Sequence, residues 1–487
     1  MSIKHKFATS SMWLMLGAAF GQLSGFVIFV MLARILTPVE FGIVAVASVF
    51  IDLSKQFLSA GIPDALIRQP EWHDDFASTA FWITVGMATL VALGAVGIGM
   101  PVLYAFGHAD IANVLGALAV TLIIDAMRIV FDARLRRDFD FKRLMSREVA
   151  TQVIAGIVGI AMAWLGAGAW ALVINRIVAS VLGTVATWWL VRWQPRFTFS
   201  KQHARDLAHF SSGLVGAQAL AALNGQVAPI VITFALGPTA LALFRAGNRV
   251  LTMLTQITIS PLQGAALSAF SRIRDPIALS AAYVRLTGAC SLIACPVFIG
   301  VGIMGPDIVA VLLGPKWAES GAIMMVSSFV VGAAALNYFF TPVLTAAGNT
   351  RYSFIYFLSA VVGNGVLAFF AAPFGAVAVA ASQTARAYIS LPLPLVFLRR
   401  AIGLPLRSVL NSVAAPFCAS AVMGLVMAGV KWEAMGAMAA PLRLVLLALL
   451  GTAVYSALML TFGRASLRRN FNELKPLLPA ALRRRFS

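Results

Sequence analysis

Charge is what this sequence has little of: 11% of its residues are charged, and Asp and Glu together number 18 in 487 residues. Soluble domains carry roughly a quarter charged residues, so a water-facing surface over most of the chain is excluded. Cysteine is scarcer still. Cys290, Cys295 and Cys418 all lie in apolar runs, which excludes a disulfide framework and predicts three buried, reduced thiols. The five histidines lie in tails, loops or span ends, and neither a His-Glu-x-x-His nor a Walker loop occurs. Nothing points to a metal or a cofactor.

Apolar residues fill the space, at 60% of the chain. Crossing about 30 Å of hydrocarbon at 1.5 Å per residue takes roughly 20 apolar residues, whereas barrel strands need short alternating segments. Long unbroken runs dominate, so the fold class is an all-α polytopic membrane protein. About 14 spans are read, near residues 10–33, 42–62, 78–104, 110–131, 149–166, 169–191, 208–235, 239–263, 281–304, 320–341, 352–371, 376–397, 408–430 and 441–462. Lys4 and Lys6 precede the first run in the manner of a signal peptide, but the run is too long and lacks a small-residue cleavage site. It is read as the first membrane helix.

The formal charge is +19. With an even number of spans both termini share one side, and 28 of the 37 Lys and Arg residues fall on it when Arg128 and Arg285, at the cytoplasmic edges of their spans, are counted with the adjoining loops. Arg34, Lys316, Lys431 and Arg443 lie on the other side, and five lie inside spans. This is the positive-inside pattern, which makes both ends cytoplasmic and assigns the basic loops to lipid headgroups rather than nucleic acid.

The chain reads as built twice. Pro38 ends the first helix in Leu36-Thr37-Pro38 and Gly42 opens the next, a transmembrane hairpin lip that recurs as Leu236-Gly237-Pro238. Phe106-Gly107 matches Leu313-Gly314, and Gly168 matches Gly375, both 207 residues apart. A six-helix repeat keeps its orientation in the membrane, so the copies are related by a pseudo-twofold axis along the membrane normal. The expected domains are a six-helix bundle over 1–193, a cytoplasmic linker over 194–206, a second bundle over 207–398, two added helices over 399–463 and a basic, interfacial tail over 464–487.

Several polar features stand out against this background. Gly17, Gly21 and Gly25 form a small-residue face on the first span, read as packing. Pro229 predicts a kink in the seventh span. Glu71, His73, Asp74 and Asp75 read as a solvated helix start. Asp138 and Asp140 form an Asp-x-Asp, as in glycosyltransferases, but five cations crowd them and no soluble domain surrounds them. The cations inside spans are Lys55, Arg176, Arg245, Arg249 and Arg386, the candidate anion site. Asp52 and Asp125 are the acids there and the candidates for ion coupling. Asn175, Asn224, Gln226 and Gln383 are candidate polar cavity residues. Asp52 is expected to neutralise Lys55, three residues away, and Asp125 to pair with Arg128, while no acid within four residues on the same helix serves Arg176, Arg245, Arg249 or Arg386.

At the lip, and again at Leu66-Ile67-Arg68-Gln69, Ser78-Thr79-Ala80-Phe81-Trp82, Arg134-Leu135-Arg136-Arg137-Asp138-Phe139, Trp170-Ala171-Leu172-Val173 and Ser260-Pro261-Leu262, the sequence resembles bacterial oligosaccharide flippases. These are the polysaccharide-transporter branch of the multidrug/oligosaccharidyl-lipid/polysaccharide exporter superfamily. The resemblance implies two bundles facing a central cavity, alternating access, and movement of undecaprenyl-diphosphate-linked oligosaccharide across the bacterial inner membrane for O-antigen, capsule or exopolysaccharide. It also implies a polysaccharide polymerase and a chain-length regulator as partners. The chain departs from the family in carrying Ala228 and Pro229 where the seventh span usually has a charged or acidic residue near its Asn. A multidrug antiporter, which needs membrane acids, and an integral-membrane glycosyltransferase or polymerase are the competing readings. Cations that outnumber acids inside the spans favour the flippase.

Overall fold

The computed structural model describes residues 3–59, 61–69, 71–435 and 438–463, and the tail expected over 464–487 lies outside them. The regular elements of the described residues are all helices, and eleven of them are long and apolar enough to cross a membrane, or twelve with one bent pair counted as a span. One of them, Gln218–Phe270, has 53 residues, which at 1.5 Å each is about 80 Å and enough for two crossings.

By internal contacts the chain divides into two units, Met1–Ala242 and Leu243–Ser487. The first contains α1 (Ile3–Ile35), α2 (Pro38–Ser59), α3 (Ile62–Arg68), α4 (Asp74–Gly94), α5 (Met100–Ala105), α6 (Ala109–Arg137), α7 (Phe141–Trp164), α8 (Ala169–Leu190) and most of α9 (Lys201–Thr258). Pro38 opens α2 at a position where its missing N–H costs nothing. Thr37 N–H donates to the Glu40 carboxylate at 2.7 Å while Glu40 N–H donates to the Thr37 hydroxyl at 3.3 Å, a reciprocal capping box. The lip expected at Pro38 is therefore a helix start fixed by its own side chains. The break in α9 falls at Gly237, with φ 84 and ψ −177; Pro229 sits inside the helix without interrupting its φ/ψ. A Cβ built on Gly42 would lie 2.4 Å from the Pro238 carbonyl oxygen, so the two lips meet backbone to side of helix and only glycine fits.

In lipid, apolar helices gain little from hiding greasy surface, and close packing must supply the association energy. That explains the glycines of α1. A Cβ on Gly17 would come 2.5 Å from Met145 Cβ, and one on Gly156 of α7 would come 2.3 Å from Ile28, so α1 and α7 lie against each other through small residues. The packing reading of this face holds. α6 sits at the centre of the unit, against α2, α3, α4 and α8, with Leu115, Leu118 and Leu122 buried together with Val44 and Ile51.

The segment after α8 is strapped to α4. Trp82 Nε1 donates to the Arg196 carbonyl at 2.9 Å, Arg196 N–H donates to Ser78 Oγ at 3.0 Å, and Trp193 Nε1 donates to Asp74 at 3.0 Å. Arg196 also pairs with Asp74 at 3.5 Å and with Asp75 at 3.8 Å. The acidic helix start, expected to be solvated, is the anchor of the linker.

The second unit contains α10 (Ser260–Phe270), α11 (Pro276–Leu312), α12 (Ala318–Ser328), α13 (Val331–Ala335), α14 (Phe340–Ala346), α15 (Thr350–Ala371), α16 (Ala376–Ile389), α17 (Pro392–Ile402), α18 (Leu406–Ala434) and α19 (Ala440–Thr461). The tenth span, expected to be continuous, is bent by 40° between Ser328 and Val331. Freed carbonyls inside a membrane need donors. Thr384 Oγ1 donates to Val326 O at 3.1 Å, Tyr388 Oη to Phe329 O at 2.7 Å, Tyr283 Oη to Leu336 O at 2.5 Å and Gln263 Nε2 to Tyr338 O at 2.7 Å. Side chains from three other helices hold the break open.

On α11, Asp307 is 4% exposed and meets Lys431 of α18 at 2.8 Å and Arg443 of α19 at 2.5 Å. This triad ties the last two helices to α11. Cys290 and Cys295 are buried free thiols, but Cys418 is exposed on α18, contrary to expectation, because its apolar helix turns that face away from the unit's interior.

Candidate functional site

The candidate residues of the first unit lie where α2 packs against both α6 and α8. Asp52 and Lys55 are three positions apart on α2 and diverge by about 60° around the helix, enough for each to meet a different neighbour. Arg176 of α8 donates to Asp52 at 3.1 Å, and Lys55 meets Asp125 of α6 at 2.6 Å. The expected Asp52–Lys55 pair is thus replaced by two pairs across helices, and Arg176 has a carboxylate partner that its own helix does not supply. Asp125 also pairs with Arg128 at 3.5 Å, as its spacing predicts. A charged pocket of about 370 Å³ opens beside Lys55, Asp64, Asp125, Arg128, Asp132 and Arg136.

A third pair was not read from the sequence. Asp132 of α6 meets Arg147 of α7 at 3.1 Å, and Arg147, almost wholly buried, also donates to the Thr187 hydroxyl and to Gly183 O at 3.4 Å. Both residues sit at the edges of charged loops, where the sequence offers many equivalent pairings. Asp140 accepts from Arg143 N–H at the start of α7 and pairs with its guanidinium at 3.3 Å. The carboxylate of the Asp-x-Asp nearest α7 is occupied as a helix cap.

Arg245, Arg249 and Arg386 belong to the second unit. Arg245 and Arg249 are half-buried, one turn apart on α9. Arg386 lies on α16 just before that helix ends at Ile389. Its Nη1 donates to Ser390 Oγ at 3.3 Å, its Nε is buried without a hydrogen-bond partner, and no carboxylate among the described residues pairs with it. Gly363 of α15 faces it: a Cβ there would lie in ordinary contact with Arg386 Cδ at 3.4 Å. The guanidinium lies in a mostly apolar groove of about 510 Å³, lined by Leu367, Ile389, Leu393 and Val396 together with the hydroxyls of Ser359 and Ser390. A fixed cation in an apolar groove can receive the anionic head of an amphiphile.

Of the candidate polar residues, Asn175 packs against Gly159, where an added Cβ would come within 2.8 Å. Asn224 and Gln383 are half-buried, and the buried Oε1 of Gln226 accepts no hydrogen bond.

Comparison with known proteins places this geometry. The sequence pattern of the family described as polysaccharide biosynthesis protein matches residues 31–322. The succinoglycan biosynthesis transport protein ExoT of Rhizobium meliloti is 25% identical over 71% of this chain and 70% of its own length. The lipopolysaccharide biosynthesis protein WzxC of Escherichia coli is 21% identical over 65% of each. Among solved structures, the lipid II flippase MurJ in its inward closed conformation superposes with a TM-score of 0.77, at 13% identity over 93% of this chain and 99% of that one. An inward-facing multidrug resistance MATE transporter gives 0.58, at 14% identity over 80% and 94%. Likeness at identities this low shows a shared all-helical fold. Together with a family pattern that spans more than half of the sequence, it makes this chain a member of the polysaccharide biosynthesis protein family.

Proposed function

We propose that the protein is a flippase that moves undecaprenyl-diphosphate-linked oligosaccharide across the bacterial inner membrane by alternating access, for assembly of a surface polysaccharide. The relatives named for succinoglycan transport and lipopolysaccharide biosynthesis, and the fold of a lipid II flippase, support this reading. The observation that carries it is Arg386, a guanidinium without a carboxylate partner among the described residues, in a mostly apolar groove. A cation inside a span costs roughly 2.5–3.5 kcal/mol to insert, and a diphosphate offers oxygens that suit its planar donor fork. Arg386, Arg245 and Arg249 are the proposed diphosphate contacts. Lys55 and Arg176 move to a supporting role, since Asp125 and Asp52 hold them. Coupling to protons through Asp52 or Asp125 would act by releasing those cations.

The competing readings lose their residues. An antiporter of organic cations needs free membrane acids, and Asp52 and Asp125 are both neutralised. A metal-dependent transferase needs Asp140, which caps α7.

The same proposal includes fourteen crossings with both termini in the cytoplasm, six-helix bundles over 1–193 and 207–398, and a polymerase and chain-length regulator as partners. Gly107, Gly314, Gly168 and Gly375, matched in the repeat, all adopt positive φ, which supports the internal duplication. To test the function, the gene is deleted and complemented. Arg386→Ala should leave inserted protein but no surface polymer, with lipid-linked precursor retained on the cytoplasmic side, and Arg386→Lys should restore part of the export. Full export by the alanine variant at normal expression would remove Arg386 from the site, and polymer export in the deletion strain would defeat the flippase reading.

A further inference from the structure

Where the strap leaves α8, the first unit carries a pocket of about 800 Å³ lined by Arg143, Trp188, Trp189, Arg192, Trp193 and Gln194. Its volume lies within the roughly 300–1,000 Å³ of small-ligand sites. Tryptophan near a membrane surface is ordinary, but these indoles are not loose anchors. Trp188 donates from Nε1 to Met127 O at 3.0 Å and stacks on Phe131 with ring centroids 5.5 Å apart, yet remains 43% exposed. One face is pinned and the other is free. Trp193 is 7% exposed, bonded to Asp74 and packed edge-on against Trp72 and Phe131. Trp189, 82% exposed, stands on the rim with Arg192 and Gln194. Arg143 has Asp140 as its carboxylate, and Arg192 adds a second positive charge, so the pocket is net cationic.

Preorganised aromatic faces, an amide and two guanidiniums make a mixed recognition set. The C–H face of a sugar ring stacks on an indole, the amide meets hydroxyls, and guanidinium forks take phosphate oxygens. An anionic phospholipid would use the guanidiniums alone and leave the fixed Trp188 face idle. We propose that this pocket recognises the phosphorylated, sugar-bearing head of a lipid-linked oligosaccharide before transport, an inference that rests on the flippase reading and adds to it a glycan-reading site apart from the Arg386 groove.

The test uses the full-length protein in nanodiscs of neutral lipid. Three probes are compared: undecaprenyl diphosphate bearing the precursor oligosaccharide extracted from the deletion strain, bare undecaprenyl diphosphate, and phosphatidylglycerol. Wild type should bind the sugar-bearing lipid about tenfold more tightly than the bare one, a difference of about 1.4 kcal/mol. Trp189→Ala and Arg192→Gln, both on the exposed rim, should each erase most of that preference, and Trp188→Phe, which keeps a stacked ring, should retain part of it. Arg386→Gln should weaken both undecaprenyl lipids alike. Equal affinity of wild type for the two, a preference that survives in the Trp189→Ala/Arg192→Gln double variant, or displacement of the sugar-bearing lipid by an equal concentration of phosphatidylglycerol would overturn the pocket while leaving the flippase reading in place. Binding of neither undecaprenyl lipid would overturn both.

Discussion

Replacing Asp125 by alanine should separate scaffold from site in the first unit. The substitution takes a carboxylate away from Lys55 at 2.6 Å and from Arg128 at 3.5 Å. At an effective dielectric near 20 the Lys55 attraction alone is on the order of 6 kcal/mol, most of which desolvation cancels. The Asp125 side chain is 14% exposed and that of Lys55 31%, so the pair lies between exposed pairs, worth up to ~1 kcal/mol, and buried ones, whose disruption costs ~3–5 kcal/mol. A loss of about 2–3 kcal/mol follows, and at the ~2–4 °C per kcal/mol of a unit the size of Met1–Ala242 its melting temperature should fall by about 4–12 °C. The assay is loss of the monodisperse chromatographic peak after heating detergent-purified protein. Lys55→Met/Asp125→Leu removes both charges and should recover most of the melting temperature, because matched apolar residues replace a buried pair at little cost. If that double variant also exports polymer normally, Lys55 is scaffold. A melting temperature for Asp125→Ala within about 2 °C of wild type, the shift of no more than ~1 kcal/mol, would refute the claim that the pair carries stability.

Three further outcomes are expected. Asp307→Ala leaves Lys431 and Arg443 without their shared carboxylate at a 4% exposed position, so its loss should exceed that of Asp125→Ala, at about 3–5 kcal/mol in the same melting assay. Gly42→Leu puts a side chain into the Pro238 backbone and should abolish surface polymer in complementation, with an inserted but misclosed lip read as altered protease sensitivity there; wild-type export would show that the contact is dispensable. In a background free of cysteine, cysteines placed singly at Val39 and Thr239, both exposed, should react with an impermeant thiol reagent in intact cells whose outer membrane has been permeabilised, and labelling only after lysis would invert the topology.

What the sequence discloses and what it hides divide along a physical line. A bilayer demands about 20 apolar residues per crossing, and each demand is met by consecutive residues, so most spans are legible in one dimension. The lip is legible for the same reason: Thr37, Pro38 and Glu40 complete their capping box within four residues. Charge pairing obeys no such locality. Asp52 and Lys55 offer each other the obvious partner, yet reach Arg176 and Asp125, 124 and 70 positions away, because two neighbouring helices present complementary groups at shorter range. The bent tenth span was hidden likewise. Nothing between Ser328 and Val331 forbids a continuous helix; what permits the bend is a set of donors on Gln263, Tyr283, Thr384 and Tyr388, drawn from three other helices. Arg386 was found from sequence because a cation in an apolar run is conspicuous and expensive. Its groove was not, since residues of α15, α16 and α17 line it from separate segments. Intramembrane arginines read as a binding site should therefore be divided by whether a carboxylate on another helix already holds them. By that criterion we propose Arg176 as scaffold and Arg386 as a substrate contact.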